Sequence, residues 1–135
     1  MILLVEDNPD HEALTLRTLR KASLEADIEV VRDGEEALSL LLGETDRQTS
    51  GFIQPTLIFL DLKLPKIPGM DVLKKLRADP RTQYIPVVVL TTSDEEKDIV
   101  SSYNLDANAY LCKPLNLGDL ARVLHQLGIS EGAKL

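Results

Sequence analysis

The chain has 135 residues, of which 44% are hydrophobic and 27% charged, so it is long enough to fold as one domain with its own core. Its formal net charge of −7 argues against nucleic acid as a direct partner, because phosphate contacts need a basic surface. The single cysteine, Cys112, excludes an internal disulfide and a multi-thiolate metal site, and it fits a reducing compartment.

The first strand is predicted at Ile2–Val5, four consecutive apolar residues. This run has no basic flank and ends at acids, so it does not have the features of a signal peptide. No apolar run in the chain reaches the roughly 18 residues of a membrane span, and we expect a cytoplasmic protein. Asn8 and Pro9 suit an N-cap and a first helical position, and a helix is predicted to continue to about Ser23. Its inward residues are predicted to be Ala13, Leu16 and Leu19.

The second strand and helix are predicted on either side of a turn at Asp33 and Gly34. Ile28–Val31 forms the strand, and the helix carries an apolar face. The residues of that face are Ala37, Leu38 and Leu41. Residues 43–54 are polar, contain two glycines and show no periodicity, so they are predicted to form a surface loop.

The central strand is predicted at residues 57–60, where four consecutive apolar residues indicate burial on both faces. Asp61 follows this run directly. A carboxylate at the carboxyl end of a parallel strand lies where open α/β sheets bind their ligands. Pro65 and the Pro68-Gly69 turn then lead into a helix predicted over residues 69–77, with Val72, Leu73 and Leu76 facing inward.

The second half of the chain continues the same alternation of strands and helices. Residues 86–90 are predicted to form another buried strand, and residues 108–111 a weaker fifth strand. Between them, Ser93 and Glu96 have the spacing of a capping box, which predicts a fourth helix to about Tyr103. Cys112 is interpreted as a small buried hydrophobic residue.

The last helix is predicted to begin at the N-cap Asn116 and to end at Gly128. Its apolar stripe consists of Leu117, Leu120, Leu124 and Leu127. Five strand–helix units without an internal repeat predict an α/β fold, a doubly wound five-stranded parallel sheet. We therefore expect one domain over residues 1–128 and a frayed tail over residues 129–135.

Polar residues follow four of the five predicted strands, and they are Glu6, Asp7, Asp61, Thr91 and Lys113. In the strand order 2-1-3-4-5 the first and third strands are neighbours, so three carboxylates would crowd one end of the sheet. Like charges at such distances repel one another unless a cation lies between them. An oxygen-only cluster suits a hard cation, and the pattern predicts a Mg²⁺ site.

The same residues can carry out phosphoryl transfer. Asp61 could act as a carboxylate nucleophile and form an acyl phosphate. The metal would neutralise charge on the transferring group, while Lys113 and Thr91 would hold its remaining oxygens.

Over nearly its whole length the chain resembles the receiver domain of bacterial two-component response regulators. The residues that carry the resemblance are Glu6, Asp7, Asp61, Pro65, Gly69, Thr91, Lys113 and Pro114. The resemblance implies a flavodoxin-like receiver fold with strand order 2-1-3-4-5, in which Asp61 is the phosphoacceptor. It also implies that Asp7, Asp61 and the backbone carbonyl of Lys63 bind Mg²⁺, with Glu6 as the second member of the acidic pair.

Three further features follow from the resemblance. Thr91 would be the switch hydroxyl, Lys113 would bind the phosphoryl group, and Tyr110 would be the aromatic residue that changes rotamer with them. The Lys113–Pro114 bond would be cis. The function implied is signalling and not enzymatic catalysis, with a sensor histidine kinase as the partner.

Within this family, the Glu-Asp-Asn-Pro opening, the long polar loop and the Asp61–Pro65 run resemble the stand-alone regulators of bacterial phytochromes and related kinases. This narrower resemblance implies a phytochrome partner and a homodimer through the fourth helix, fifth strand and last helix. Lys63 and Thr92 depart from the commonest family pattern next to the phosphoryl site, which leaves the rate of dephosphorylation open.

Other interpretations remain at this point. An aspartyl phosphatase of the haloacid-dehalogenase kind would need an acid where the chain has Lys63, and a flavodoxin-like nucleotide carrier would not place Glu6 and Asp7 beside a phosphate. A degenerate receiver used only for protein interaction is a third. Taken singly, the acids could favour a helix N-terminus, and Lys113 could be a solvated loop residue. The two histidines, His11 and His125, are predicted to be exposed helix residues far from the site.

Overall fold

The computed structural model describes residues 1–24, 26–43, 53–92, 107–130 and 133–135. The strands are β1 (Ile2–Val5), β2 (Ile28–Val31), β3 (Leu57–Asp61), β4 (Val87–Thr91) and β5 (Ala109–Cys112). The helices within the described residues are α1 (Pro9–Lys21), α2 (Gly34–Leu42), α3 (Gly69–Ala78) and α4 (Leu117–Gln126). The helix predicted over residues 93–103 and most of the predicted polar loop lie outside the described residues.

The five strands form one parallel sheet in the order β2-β1-β3-β4-β5, which confirms the predicted fold class. Val5 pairs with Val31 on one side and with Leu60 on the other, so β1 and β3 end side by side. The last residue of β4, Thr91, pairs with Cys112 at the end of β5. The carboxyl ends of all five strands therefore lie along a single edge of the sheet.

Successive residues of the central strands enter two different hydrophobic cores. In β3, Ile58 and Leu60 pack with residues of α2 and α3, whereas Leu57 and Phe59 pack with residues of α1 and α4. This alternation follows from the two-residue period of a strand, and burial on both faces explains why the runs are apolar throughout. The helices thus cover both faces of the sheet, as a doubly wound fold requires.

Side-chain caps begin three of the four helices in the described part of the chain. Asn8 Oδ1 accepts hydrogen bonds from the backbone N–H groups of Asp10 and His11, and Pro9 is the first helical residue. Asp33 caps α2 and Asn116 caps α4 in the same way. These caps confirm the predicted helix starts, because each side chain satisfies an N–H group that has no partner within its helix.

Three side chains differ from the predicted burial. Ala13 is exposed, and α1 instead buries Thr15 and Leu19. Leu117 is 42% exposed at the start of α4, where the inward stripe begins only at Leu120. Cys112 is exposed and not buried, because it is the last residue of an edge strand and has a neighbouring strand on one side only.

The C-terminal residues that are described lie against the body of the fold. Ile129 and Leu135 pack against the core beneath α1 and α4, and the Met1 amino group hydrogen-bonds the carbonyl oxygen of Leu135. The division into a domain over residues 1–128 and a tail stays a prediction. Of the helices in the described segments, none combines the length and the apolar character needed to cross a membrane.

Gly69 lies where the start of α3 approaches the end of β3, and we expect Gly69→Ala to destabilise the fold. A Cβ at this position would lie 2.2 Å from the carbonyl oxygen of Asp61 and 2.7 Å from Leu62 Cα. Since both are backbone atoms, the strand end must shift, at a cost of about 1–3 kcal/mol in the free energy of unfolding. Urea denaturation measures this cost.

Gly118→Ala is the matched control for this prediction. The nearest atom to its added Cβ is Asn116 Oδ1 at 3.5 Å, which is an ordinary contact. Because Gly118 lies within α4, alanine there is expected to stabilise the protein by up to about 1 kcal/mol. Equal effects of the two substitutions on stability would contradict the steric explanation at Gly69.

Candidate functional site

Three carboxylates converge at the carboxyl edge of the sheet. Glu6 and Asp7 follow β1, Asp61 ends β3, and one oxygen of each lies within 4.8 Å of an oxygen of the others. Glu6 is fully buried and Asp61 is 3% exposed, whereas Asp7 is exposed. The predicted cluster is therefore present, and its donor set of carboxylate oxygens fits a hard divalent cation such as Mg²⁺.

Lys113 reaches into this cluster from the end of β5. Its Nζ atom lies 2.8 Å from Asp61 Oδ2 and 2.9 Å from Glu6 Oε1, and its side chain is only 7% exposed. The backbone N–H of Lys113 donates to the carbonyl oxygen of Thr91, and the Lys113–Pro114 peptide bond is cis, as the resemblance implied. Because β5 neighbours β4 and not β3, only a long side chain can span the distance to Asp61.

Burial and charge together set the proton affinities in the site. The pKa of Glu6 is raised from 4.5 to about 7, because burial and the neighbouring Asp61 raise it by more than Lys113 lowers it. Burial lowers the pKa of the Lys113 ammonium, but its hydrogen bonds to Asp61 and Glu6 outweigh this effect, and the pKa is raised overall. The ammonium therefore stays charged and compensates the buried carboxylates.

The other predicted site residues lie next to this cluster. Thr91 ends β4 and is 1% exposed, and Tyr110 is a partly buried residue of β5 that packs against the core beneath α2 and α3. The backbone N–H of Lys63 donates to Asp61 Oδ1 at 3.1 Å. The roles predicted for the Thr91 hydroxyl, the Tyr110 ring and the Lys63 carbonyl stay predictions.

His11 also belongs to the site, and the prediction that it lies far away is wrong. Its Nδ1 atom lies 3.0 Å from Lys113 Nζ and 3.9 Å from Glu6 Oε1. The sequence did contain a signal: with Asn8 as the N-cap, His11 is the third helical residue. Side chains in the first turn of a helix tilt back towards its N-terminus, and α1 begins at the strand end that carries Glu6.

Residues 2–125 of the chain match the family described as the response regulator receiver domain. Among curated proteins, the chain is 39% identical over 127 residues to the probable methanogenesis regulatory protein FilR2 of Methanothrix harundinacea (strain 6Ac), covering 94% of this chain and 80% of FilR2. It is 40% identical over 124 residues to the response regulator Rcp1 of Synechocystis sp. (strain ATCC 27184 / PCC 6803 / Kazusa). This match covers 92% of this chain and 83% of Rcp1.

Two solved structures have the same fold as this chain. The bacteriophytochrome response regulator RtBRR is 44% identical, with a TM-score of 0.87 over 95% of this chain and 77% of that one. The Mn(2+)-bound form of Rcp1 is 39% identical, with a TM-score of 0.72 over 94% of this chain and 88% of that one. The similarity thus extends over nearly the whole of this chain and over more than three quarters of each of the other two.

Proposed function

The chain belongs to the response regulator receiver domain family. We propose that it acts in signalling as a receiver that a sensor histidine kinase phosphorylates on Asp61. The observation that carries the proposal is the convergence of Glu6, Asp7 and Asp61 within 4.8 Å, with the Lys113 ammonium against two of them. The test is whether the intact chain gains one phosphoryl group, at Asp61 and nowhere else.

In the proposed reaction an Asp61 carboxylate oxygen attacks phosphorus and forms a P–O bond. The bond from phosphorus to the donor breaks at the same centre, so a phosphohistidine donor leaves as imidazole and acetyl phosphate leaves as acetate. Lys113 Nζ, already 2.8 Å from Asp61 Oδ2, can follow the new negative charge onto the phosphoryl oxygens. Thr91 lies on the neighbouring strand end and offers a hydroxyl to the same group.

We propose that Asp7, Asp61 and the Lys63 backbone carbonyl bind Mg²⁺, with Glu6 completing the acidic pair. When bound, Mg²⁺ supplies positive charge that offsets the charge of the transferring group. Support comes from the oxygen-only donor set in this chain and from the Mn(2+)-bound form of its relative Rcp1. Phosphorylation would change a binding surface, and we propose no catalytic turnover of a separate substrate.

We propose the cytoplasm as the location of the protein, because its single cysteine fits a reducing compartment.

Mg²⁺ affinity is expected to rise with pH, because a proton on Glu6 competes with the cation. The raised pKa of Glu6, about 7, means that ionised Glu6 is unfavourable in the metal-free fold. Protonated Glu6 therefore contributes to the stability of the fold. This contribution is fully present below pH 4.5 and is lost as the pH rises through about 7. Among the described residues, the titratable groups that face Glu6 are Asp61, Lys113 and His11, with Asp7 adjacent in sequence.

Calorimetric titration with Mg²⁺ at pH 6 and pH 8 measures this effect, and an increase of about tenfold in affinity is expected from one competing proton. Glu6→Gln removes the titrating carboxyl group, and the pH dependence should become nearly flat. A steep pH dependence that survives in Glu6→Gln would assign the competing proton to another group.

A bacteriophytochrome is the kinase that we propose as the first partner to test. The similarity to RtBRR and Rcp1, over most of each molecule, supports it. The comparable identity to FilR2 makes a kinase unrelated to light the alternative. Phosphotransfer from a purified phytochrome kinase, measured as loss of label from the kinase histidine, distinguishes the two.

We also propose a homodimer. Its surface would consist of the helix predicted over residues 93–103, strand β5 and the last helix, α4. Its support is that β5 is an edge strand next to Lys113, so a change at the site is close to that surface. Isologous pairs are the commonest form of oligomer. Sedimentation with and without phosphorylation tests the proposal, and a monomer under both conditions would exclude it.

A further inference from the structure

Three acceptors surround the Lys113 ammonium, and one of them is His11. The distances from Nζ are 2.8 Å to Asp61 Oδ2, 2.9 Å to Glu6 Oε1 and 3.0 Å to His11 Nδ1. An ammonium group has three protons and no lone pair, so each acceptor can take one proton. Nδ1 therefore accepts from Lys113 as the unprotonated ring nitrogen, and the hydrogen bonds of the ammonium are complete.

The three acceptors differ in what else they must do. Under the proposed function, Asp61 forms the acyl phosphate and Glu6 belongs to the acidic pair around Mg²⁺. Both carboxylates are therefore less available as hydrogen-bond acceptors for Lys113 once the cation and the phosphoryl group are bound. His11 is the acceptor that lies outside the carboxylate cluster. We propose that His11 is a positioning residue that keeps the Lys113 ammonium beside Asp61 while the carboxylates engage the cation and the phosphoryl group.

The N-cap of α1 fixes the backbone of His11 independently of Lys113. The His11 backbone N–H donates to Asn8 Oδ1 at 3.2 Å, so the first turn of α1 is fixed by the N-cap. The His11 side chain is 40% exposed and lines a groove of about 170 Å³. The other residues that line this groove are Leu14, Thr15, Thr92, Lys113 and Pro114. Because the start of the helix fixes the backbone of His11, its ring stays within reach of a lysine that loses its other partners.

The test compares His11→Ala with His11→Asn, because an asparagine Oδ1 lies close to the position of Nδ1 and keeps an acceptor for the ammonium. In His11→Ala the acetyl phosphate concentration that gives half-maximal labelling of Asp61 is expected to rise about tenfold, as for loss of one charge-assisted hydrogen bond. His11→Asn should restore most of the loss. Leu14→Ala, in the same helix and groove but at a side chain with no hydrogen-bond acceptor for the ammonium, should behave as the wild type.

Two further measurements separate positioning from a general structural role. In a Lys113→Ala background, His11→Ala should add no further loss, since His11 acts only through that ammonium. The ¹⁵N NMR signal of the Lys113 ammonium in the Mg²⁺-loaded, unphosphorylated protein should persist in the wild type and in His11→Asn, and should broaden in His11→Ala.

The ammonium signal does not require phosphorylation, so the two proposals can fail separately. A wild type that is never labelled would overturn the proposed function, whereas the NMR comparison would still decide the role of His11. An unchanged labelling curve and ammonium signal in His11→Ala would overturn the positioning role. Equal losses in His11→Ala, His11→Asn and Leu14→Ala would overturn it as well.

Discussion

Asp61→Asn is expected to abolish phosphoryl acceptance, whereas the wild-type chain gains one phosphoryl group from acetyl phosphate when Mg²⁺ is present. An amide has nearly the same shape as a carboxylate, and the Asn side chain can still accept the hydrogen bond from the Lys63 N–H. It cannot, however, act as the anionic oxygen nucleophile that an acyl phosphate requires. The mass of the intact protein before and after incubation measures the difference directly.

Asp119→Asn is the control, because Asp119 is an aspartate in the first turn of α4, outside the acidic cluster. It should be labelled as the wild type is. EDTA should prevent labelling of every variant, since an anionic donor would otherwise meet three carboxylates within 4.8 Å of one another. Labelling that persists in Asp61→Asn, or in EDTA, would contradict the assignment of the site.

The sheet could be predicted because its strands have an unambiguous pattern. β1 and β3 are apolar at every position before their terminal acids, and such runs belong to strands that are buried on both faces. The bounds of β1 and β2 agree with the prediction, while β4 and β5 lie one residue later. At β4 the reason is Pro86, which has no N–H to donate to the ladder, and at β5 it is Asn108, whose Oδ1 accepts from the Val87 N–H.

The buried faces of the helices were harder to predict, because an apolar residue of a short helix can lie on either the buried or the exposed face. Ala13 is small enough to be exposed at little cost, and Thr15 can be buried because a hydroxyl can bond to the backbone of its own helix. The stripe of α4 was nearly right, except that Leu117 precedes the first turn that meets the sheet and stays 42% exposed.

For the site, topology was sufficient to bring the acids together, since neighbouring parallel strands must end at the same edge. Successive residues at a strand end point in opposite directions, so Glu6 and Asp7 lie in different environments, but which of the two is buried was not predicted. The bridge from Lys113 to both Glu6 and Asp61 depends on a rotamer choice that sequence does not encode locally. The position of His11 depends on the residue at which α1 begins, and the N-cap at Asn8 could have indicated that residue.

Lys113→Ala is expected to impair the response to phosphorylation strongly while leaving Mg²⁺ affinity within a few fold of the wild type at pH 8. The ammonium is not a metal ligand, but it is the charged group nearest the acceptor oxygen, 2.8 Å from Asp61 Oδ2. A charge-assisted contact of this kind contributes about 2 kcal/mol, against about 1 kcal/mol for a neutral hydroxyl. The equilibrium between the inactive and active forms should therefore shift roughly thirtyfold in Lys113→Ala and roughly fivefold in Thr91→Ala.

The measurement is the phosphorylation-dependent change in amide chemical shifts along β5 and α4, recorded beside Mg²⁺ titrations of the same proteins. Lys21→Ala, which removes an exposed lysine of α1, serves as the matched control and should respond as the wild type does. Because Lys113 compensates Glu6 and Asp61, its removal leaves two buried carboxylates without a cation, and Mg²⁺ should stabilise this variant more than the wild type. Parallel losses of metal affinity and of response would show that Lys113 supports the metal site as a whole and does not act on the phosphoryl group.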